Sequence, residues 1–246
     1  MTTAIIGGTG LTRIAELNII EKRKLATTFG EPSAEFVLAE LHGNPLVFLA
    51  RHGDPHRIPP HKINYRANIW GLKQLGVSNI IAVAAVGGIS SDMLPGHIAI
   101  PDQIIDYSYG REHSFFSDDL QHVTHIDFSY PYTEKLRKRL LDAAAHAGVM
   151  VSSYGVYGCT QGPRLETAAE IKRMAQDGCD LVGMTGMPEA SLAKELDMAY
   201  ANISVVANWG AGIIEGEITM PEIEANLERG MKNAMAILNA ALKSAE

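Results

Sequence analysis

The residues best suited to chemistry in this chain stand at the ends of its apolar runs. Arg51-His52-Gly53-Asp54-Pro55-His56 follows the run Leu46 to Ala50, with His61-Lys62 close behind. An arginine at a strand end offers a fork of donors to a tetrahedral oxyanion, and a histidine adds one more. Gly7-Gly8-Thr9-Gly10 closes the first apolar run; such a turn either exposes backbone N–H groups that cradle phosphate or is simply tight. It is not a dinucleotide fingerprint, because Arg13 stands where the third glycine of G-x-G-x-x-G belongs, and no G-x-x-x-x-G-K-[ST] run exists. His52, Asp54, His56 and His61 are all metal-ligand types, but no H-E-x-x-H helix is present and Pro55, Pro59 and Pro60 break helical spacing. No metal site is expected.

Four further segments follow the same pattern. Ala84-Ala85-Val86-Gly87-Gly88 ends an apolar run with small residues, which let a ligand approach the backbone or let a helix pack closely. Gly162-Pro163-Arg164-Leu165-Glu166-Thr167 and Gly183-Met184-Thr185-Gly186-Met187-Pro188-Glu189 each precede a helical stretch. Their threonines bind or cap, and their methionines touch ligand or fill core. In Asn208-Trp209-Gly210-Ala211-Gly212 an amide and an indole sit among small residues. That amide reads a heterocycle edge or ties down a turn.

Strands and helices must alternate to place these segments together. Strands are predicted at Ala4 to Ile6, Phe36 to Leu38, Leu46 to Ala50, Ile80 to Val86, His97 to Ile105, Val151 to Thr160 and Ile203 to Val206. Several are too uniformly apolar to have a wet face. Helices are predicted at Asn64 to Leu75, Thr133 to Ala147 behind a Thr cap, Leu165 to Gln176, Pro188 to Leu196 and Pro221 to Lys243. The alternation implies a single α/β domain over residues 1–246 with a central, largely buried sheet, whose ligands sit where strands end.

Composition narrows the partners. With 46% hydrophobic residues and a formal net charge of −7, the chain can bury a full core, and it has no basic face for nucleic acid. The densest basic run, Glu21 to Lys24, reads as a solvated turn. The first ten residues lack a basic n-region and read as a strand rather than a signal peptide. Ile80 to Ile89 falls short of the roughly 20 residues of a membrane span. Two cysteines, Cys159 and Cys179, suit a reducing compartment, so a cytoplasmic location is expected.

Taken in order, IIGGTG (5–10), ARHG (50–53), HKINYRANIW (61–70), AAVGG (84–88), GPRLET (162–167), GMTGMPE (183–189) and VVANWGAG (205–212) resemble the trimeric purine nucleoside phosphorylase and methylthioadenosine phosphorylase family over nearly the whole chain. The resemblance implies a mixed, partly barrel-like sheet flanked by helices and a homotrimer, or a dimer of such trimers. The implied reaction is cleavage of a purine N-glycosidic bond by inorganic phosphate, without metal or organic cofactor. Carried over residue by residue, it puts Thr9, Arg51, His52, Thr185 and the backbone at Ala85 around phosphate and Met184 against the ribose. Glu166, Asn208 and the Trp209-Gly210 backbone would face the base, and Arg51, His52 and Asn208 would act in catalysis. His125 would reach the 5′ end of a neighbouring subunit's nucleoside, and the helix around Pro221 would lie by the same 5′ pocket. Ala84 and Leu165 depart from the family's usual Thr and aromatic residue.

The two halves of the chain point to different relatives. ARHG and HKINYRAN resemble the methylthioadenosine branch, whereas Glu166 and Asn208 match 6-oxopurine phosphorylases. A 6-oxopurine carries a proton on N1 for a carboxylate and an O6 for an amide. Adenine's bare N1 would face Glu166 unpaired, a penalty of about 1–3 kcal/mol. The combination predicts phosphorolysis of 5′-methylthioinosine to hypoxanthine and 5-methylthioribose 1-phosphate. A general inosine/guanosine phosphorylase is the first alternative, and a methylthioadenosine phosphorylase or a non-catalytic purine-binding trimer comes after it.

Overall fold

The computed structural model describes residues 2–8, 17–117 and 121–243. Among them, eleven strands form one mixed sheet with five α-helices packed on it. The strands are β1 (Thr2–Gly7), β2 (Asn18–Arg23), β3 (Phe36–Leu41), β4 (Asn44–Ala50), β5 (Val77–Gly88), β6 (Ile98–Ala99), β7 (Gln103–Asp106), β8 (Val151–Ser152), β9 (Val156–Cys159), β10 (Leu181–Gly183) and β11 (Ala199–Trp209). The helices are α1 (Tyr65–Gln74), α2 (Glu134–His146), α3 (Ala168–Gln176), α4 (Glu189–Glu195) and α5 (Met220–Lys243).

The uniformly apolar runs are strands buried on both faces, as expected of central strands. Along β1 and β5, Ala4, Ile6, Ile80 and Ala82 enter one core with Ile69 and Leu72 of α1 and Leu192 of α4. The alternate residues Ile5, Ile81 and Val83 enter a second core with Leu140 of α2 and Ile237 and Leu238 of α5. Gly230 lets α5 seat on β11, for a Cβ there would lie 2.4 Å from Val205 Cγ1.

The sheet is organised around β5. On one edge β11 runs parallel to it from Asn79 to Gly88. On the other edge β1 pairs with it only from Val77 to Ala82, and β10 only at Gly87 and Gly88. Between Ala82 and Gly87, that edge has no strand beside it among the described residues.

Several predicted elements differ in detail. The run His97 to Ile105 is two short strands, β6 and β7, separated at Pro101, which has no N–H to offer a ladder. Val151 to Thr160 likewise divides into β8 and β9 around Gly155, at φ 152°. The predicted turn at Glu21 to Lys24 instead belongs largely to β2, an edge strand whose exposed Glu21 and Arg23 pair with each other. Charge on an edge discourages pairing with other chains. β10, with three residues, was not predicted. The Thr133 hydroxyl does not cap α2; it accepts the Tyr200 N–H at 3.1 Å and ties the helix to β11. α3 begins at Ala168, behind a capping box of Thr167 and Glu170, rather than at Leu165.

Candidate active site

The open stretch of β5 forms the floor of a cavity of about 440 Å³. Gly8, at the end of β1, lines it on one side and Gly183, Met184 and Thr185, at the end of β10, on the other. Arg51 and His52, Glu166, and Asn208 also line it. Six separate sequence segments, β5 among them, thus converge where two strands part from a third, as the strand-end rule requires.

Arg51 sits at the parting and is 2% exposed. Its Nη2 donates to the Ile6 carbonyl of β1 at 3.4 Å and its Nη1 to the Val83 carbonyl of β5 at 3.0 Å. The fork expected to be open for an oxyanion is occupied: Nε and Nη2 donate to the two oxygens of Glu189 at 2.7 and 2.8 Å. Glu189 also accepts the Tyr200 hydroxyl at 2.9 Å. Burial works against the Arg51 charge, but the Glu189 carboxylate outweighs it and holds the guanidinium protonated. Of its five N–H groups, one on Nη1 is left uncommitted among the described residues, and Arg51 lines the cavity.

Backbone geometry supplies a second donor. Alternate residues of a strand direct their N–H and C=O to the same edge. Val83 gives its carbonyl to Arg51 on the open edge, so the N–H of Ala85 looks out on that edge too. Ala85 is exposed within a stretch, Ile80 to Gly88, that is otherwise buried.

His52 Nδ1 donates to the Ile58 carbonyl at 2.8 Å, and the ring stacks on His56 with centroids 4.4 Å apart. Burial, followed by the neighbouring Arg51 charge, pushes this imidazole down to about 4. It is neutral at physiological pH.

On the facing loop, the Thr160 hydroxyl donates to Glu166 Oε1 at 2.6 Å. The segment carrying Glu166 is held from both sides. Arg164 donates to both oxygens of Glu170 at 2.8 and 2.7 Å, and these bonds, with the Thr167 N–H, hold the Glu170 carboxyl down to about 2. Arg111, which carried no role in the sequence reading, is the larger anchor. It donates to the carbonyls of Thr160 and Gln161 and to those of Met184 and Met187, so one buried guanidinium joins the loops that bear Glu166 and Thr185. Thr185 is itself buried, and its N–H reaches the Tyr157 hydroxyl at 3.4 Å. Gly183 leaves room for that tyrosine, whose oxygen lies 2.0 Å from where a Cβ would stand.

Asn208 is aimed by an irregularity in the β11 register between Val206 and Asn208. One of its amide hydrogens goes to the Trp209 carbonyl at 2.7 Å, which leaves the other hydrogen and Oδ1. Trp209 and Gly210 line an adjoining cavity of about 460 Å³ that shares Asn208. The Gly210 N–H is given to the Gly88 carbonyl at 2.7 Å.

Two other expectations lie outside this cavity's lining. His125 is exposed, and Pro221 is an exposed residue of the first turn of α5. The wall that α5 contributes is Ile223, Leu227 and Met231. Their spacing of four is a helical stripe that sequence periodicity offered. Thr9 lies outside the described residues. Ala84 and Leu165 both line the cavity, the latter 44% exposed. Among the described residues, no three His, Cys, Asp or Glu side chains are grouped as metal ligands.

The chain is similar in sequence and fold to known phosphorylases. Residues 2–243 match the Phosphorylase superfamily. A probable S-methyl-5′-thioinosine phosphorylase of Pseudomonas syringae pv. tomato is 55% identical over 98% of each chain. A probable 6-oxopurine nucleoside phosphorylase of Thermococcus kodakarensis is 44% identical over 89% of this chain and 84% of its own. Among solved structures, methylthioadenosine phosphorylase from Schistosoma mansoni in complex with adenine superposes with a TM-score of 0.93 at 30% identity, covering 98% of this chain and 91% of that one. Fold, strand-end cavity and sequence similarity over almost its full length together make this chain a member of the phosphorylase superfamily.

Proposed function

We propose that the chain catalyses phosphorolysis of S-methyl-5′-thioinosine to hypoxanthine and 5-methylthioribose 1-phosphate. The observation that carries this reading is one cavity lined at once by Glu166 and Asn208, by Arg51 and His52, and by the apolar side chains Ile223, Leu227 and Met231. A carboxylate with one oxygen held by Thr160 has the other free to accept N1–H of a 6-oxopurine. The second amide hydrogen of Asn208 suits the O6 and N7 edge. An apolar wall favours a thioether over a hydroxyl, since a buried hydroxyl without a partner costs about 1–3 kcal/mol.

On this reading phosphate lies against the Ala85 N–H, Thr185 and the residual Arg51 donor. A phosphate oxygen attacks C1′ of the ribose as the bond from C1′ to N9 breaks, and that bond's electron pair leaves with the purine. Phosphate negative charge stabilises the cationic sugar, and Asn208 stabilises the anionic base. No covalent enzyme intermediate and no cofactor are needed.

We further propose that the enzyme works as a cytoplasmic homotrimer. Exposed Tyr109, Val123 and Tyr130, 70%, 75% and 75% accessible, lie in the region that includes His125 and suit an interface. Both cysteines are free and buried, in keeping with a reducing compartment. Among the described residues no helix is long and apolar enough to cross a membrane.

The experiment is phosphorolysis of 5′-methylthioinosine, 5′-methylthioadenosine, inosine and guanosine side by side, with a phosphate-free control and the oligomer mass from light scattering. Methylthioinosine leading in kcat/KM supports the proposal. Methylthioadenosine leading would overturn the roles of Glu166 and Asn208. Inosine equalling methylthioinosine would favour a general 6-oxopurine nucleoside phosphorylase, the activity named for the Thermococcus relative.

A further inference from the structure

We propose that His52 serves the cavity as a hydrogen-bond acceptor, so that the site selects a tetrahedral oxyanion that carries a proton, phosphate or arsenate, over one that carries none, sulfate. This rests on the phosphate-site reading above and specifies the ionic form that site takes.

The orientation of the ring decides its role. His52 Nδ1 lies 2.8 Å from the Ile58 carbonyl oxygen. A carbonyl only accepts, so Nδ1 holds the proton and a neutral ring is left with a bare lone pair on Nε2. Moving the proton to Nε2 would set the Nδ1 lone pair against the Ile58 carbonyl oxygen and lose that bond, while the ring is held in its plane by the nearly coplanar stack on His56, at 7°. Both imidazoles line the cavity. Among the described residues, Nε2 has no hydrogen-bond partner, and it is not among the buried orphaned atoms, so it is open to the cavity. The Arg51 charge next to it and the burial of the ring both favour the neutral form.

Around the anion position the Ala85 N–H and the remaining Arg51 N–H only donate, and the Thr185 hydroxyl turns to donate or accept as the ligand requires. These groups suit any oxyanion alike. The neutral His52 Nε2 can only accept, so it asks the ligand for a proton. At mildly alkaline pH phosphate and sulfate are both dianions, but phosphate keeps one P–OH and sulfate has no O–H. The P–OH donates to Nε2, whereas a sulfate oxygen meets that lone pair with its own, and an unpaired polar contact of this kind weakens binding by about tenfold or more.

The test is isothermal titration of the intact protein with inorganic phosphate, arsenate and sulfate at mildly alkaline pH, which requires no nucleoside. Phosphate and arsenate are expected to bind alike and sulfate at least about tenfold more weakly. In His52→Gln, whose amide turns either N–H or C=O to the ligand, the gap is expected to shrink to about threefold or less. Equal sulfate and phosphate affinity in the native protein overturns the inference while leaving the phosphate site standing, and so does a gap that persists undiminished in His52→Gln. Failure of all three anions to bind overturns the phosphate-site reading and this inference with it.

Discussion

Removing the Arg51 guanidinium while keeping its bulk, as in Arg51→Met, strands a carboxylate. Glu189 is 0% exposed and takes two of its three side-chain hydrogen bonds from Arg51, leaving only the Tyr200 hydroxyl. Breaking one side of such a pair costs about 3–5 kcal/mol. For a chain of this size each kcal/mol lowers Tm by about 2–4 °C, so a fall of about 6–20 °C is expected in a calorimetric or denaturant-checked thermal melt. Glu189→Leu in the same protein removes the orphaned charge, and Arg51→Met with Glu189→Leu is expected to regain most of that loss. The remainder reflects the Ile6 and Val83 carbonyls that Arg51 also serves, at about 1 kcal/mol each. A double variant as unstable as the single one would refute the claim that the uncompensated carboxylate is the cause. Phosphate KM measured in the stable double variant then isolates what Arg51 gives the ligand. On the proposed reading it rises at least tenfold, consistent with about 1.4 kcal/mol or more.

Three other outcomes are expected. Thr160→Val frees Glu166 Oε1 from its 2.6 Å bond, and the kcat/KM preference for 6-oxo over 6-amino nucleosides should narrow by about tenfold, with fold stability within about 1 kcal/mol of native. Glu166→Ser combined with Asn208→Asp should move preference towards 6-amino bases; an undiminished preference for hypoxanthine nucleosides would show that the base lies elsewhere. His52 is held to about 4, against 6.5 when unfolded, so the unfolded chain binds the extra proton first as pH falls. The stability linked to its neutral form is full above 6.5 and is lost between 6.5 and 4, a slope in urea-unfolding free energy that His52→Gln should flatten.

How far the sequence disclosed this site follows from the range of the interactions. Arg51, His52, Glu166, Thr185 and Asn208 were legible because each stands where an apolar run ends or a helix begins, a local signal. Glu189 was quoted within GMTGMPE, yet its bond to Arg51 spans 138 residues, and nothing local marks a partner at that distance. Arg111 was missed for the same reason, since its carbonyl partners lie 49 to 76 residues away. Pro221 drew notice as a helix-start signal, while the α5 residues that line the cavity are the apolar stripe Ile223, Leu227 and Met231, which begins two residues beyond it. β2 escaped because its only apolar residues, Ile19 and Ile20, are exposed and stand beside the charged run Glu21 to Arg23, and β10 because three residues are too few for a period to show.

The bare edge of β5 also bears on how the protein keeps its shape. Elsewhere along this strand the backbone is answered by β1, β10 or β11, but among the described residues no strand pairs with the Ala85 amide on this edge. On the proposed reading, an oxyanion docked there would act as a fragment of added sheet beside Ala85. Ligand occupancy and sheet integrity would then be one equilibrium. Because the Ala85 amide belongs to a core strand, phosphate is expected to slow its hydrogen exchange as an added strand would.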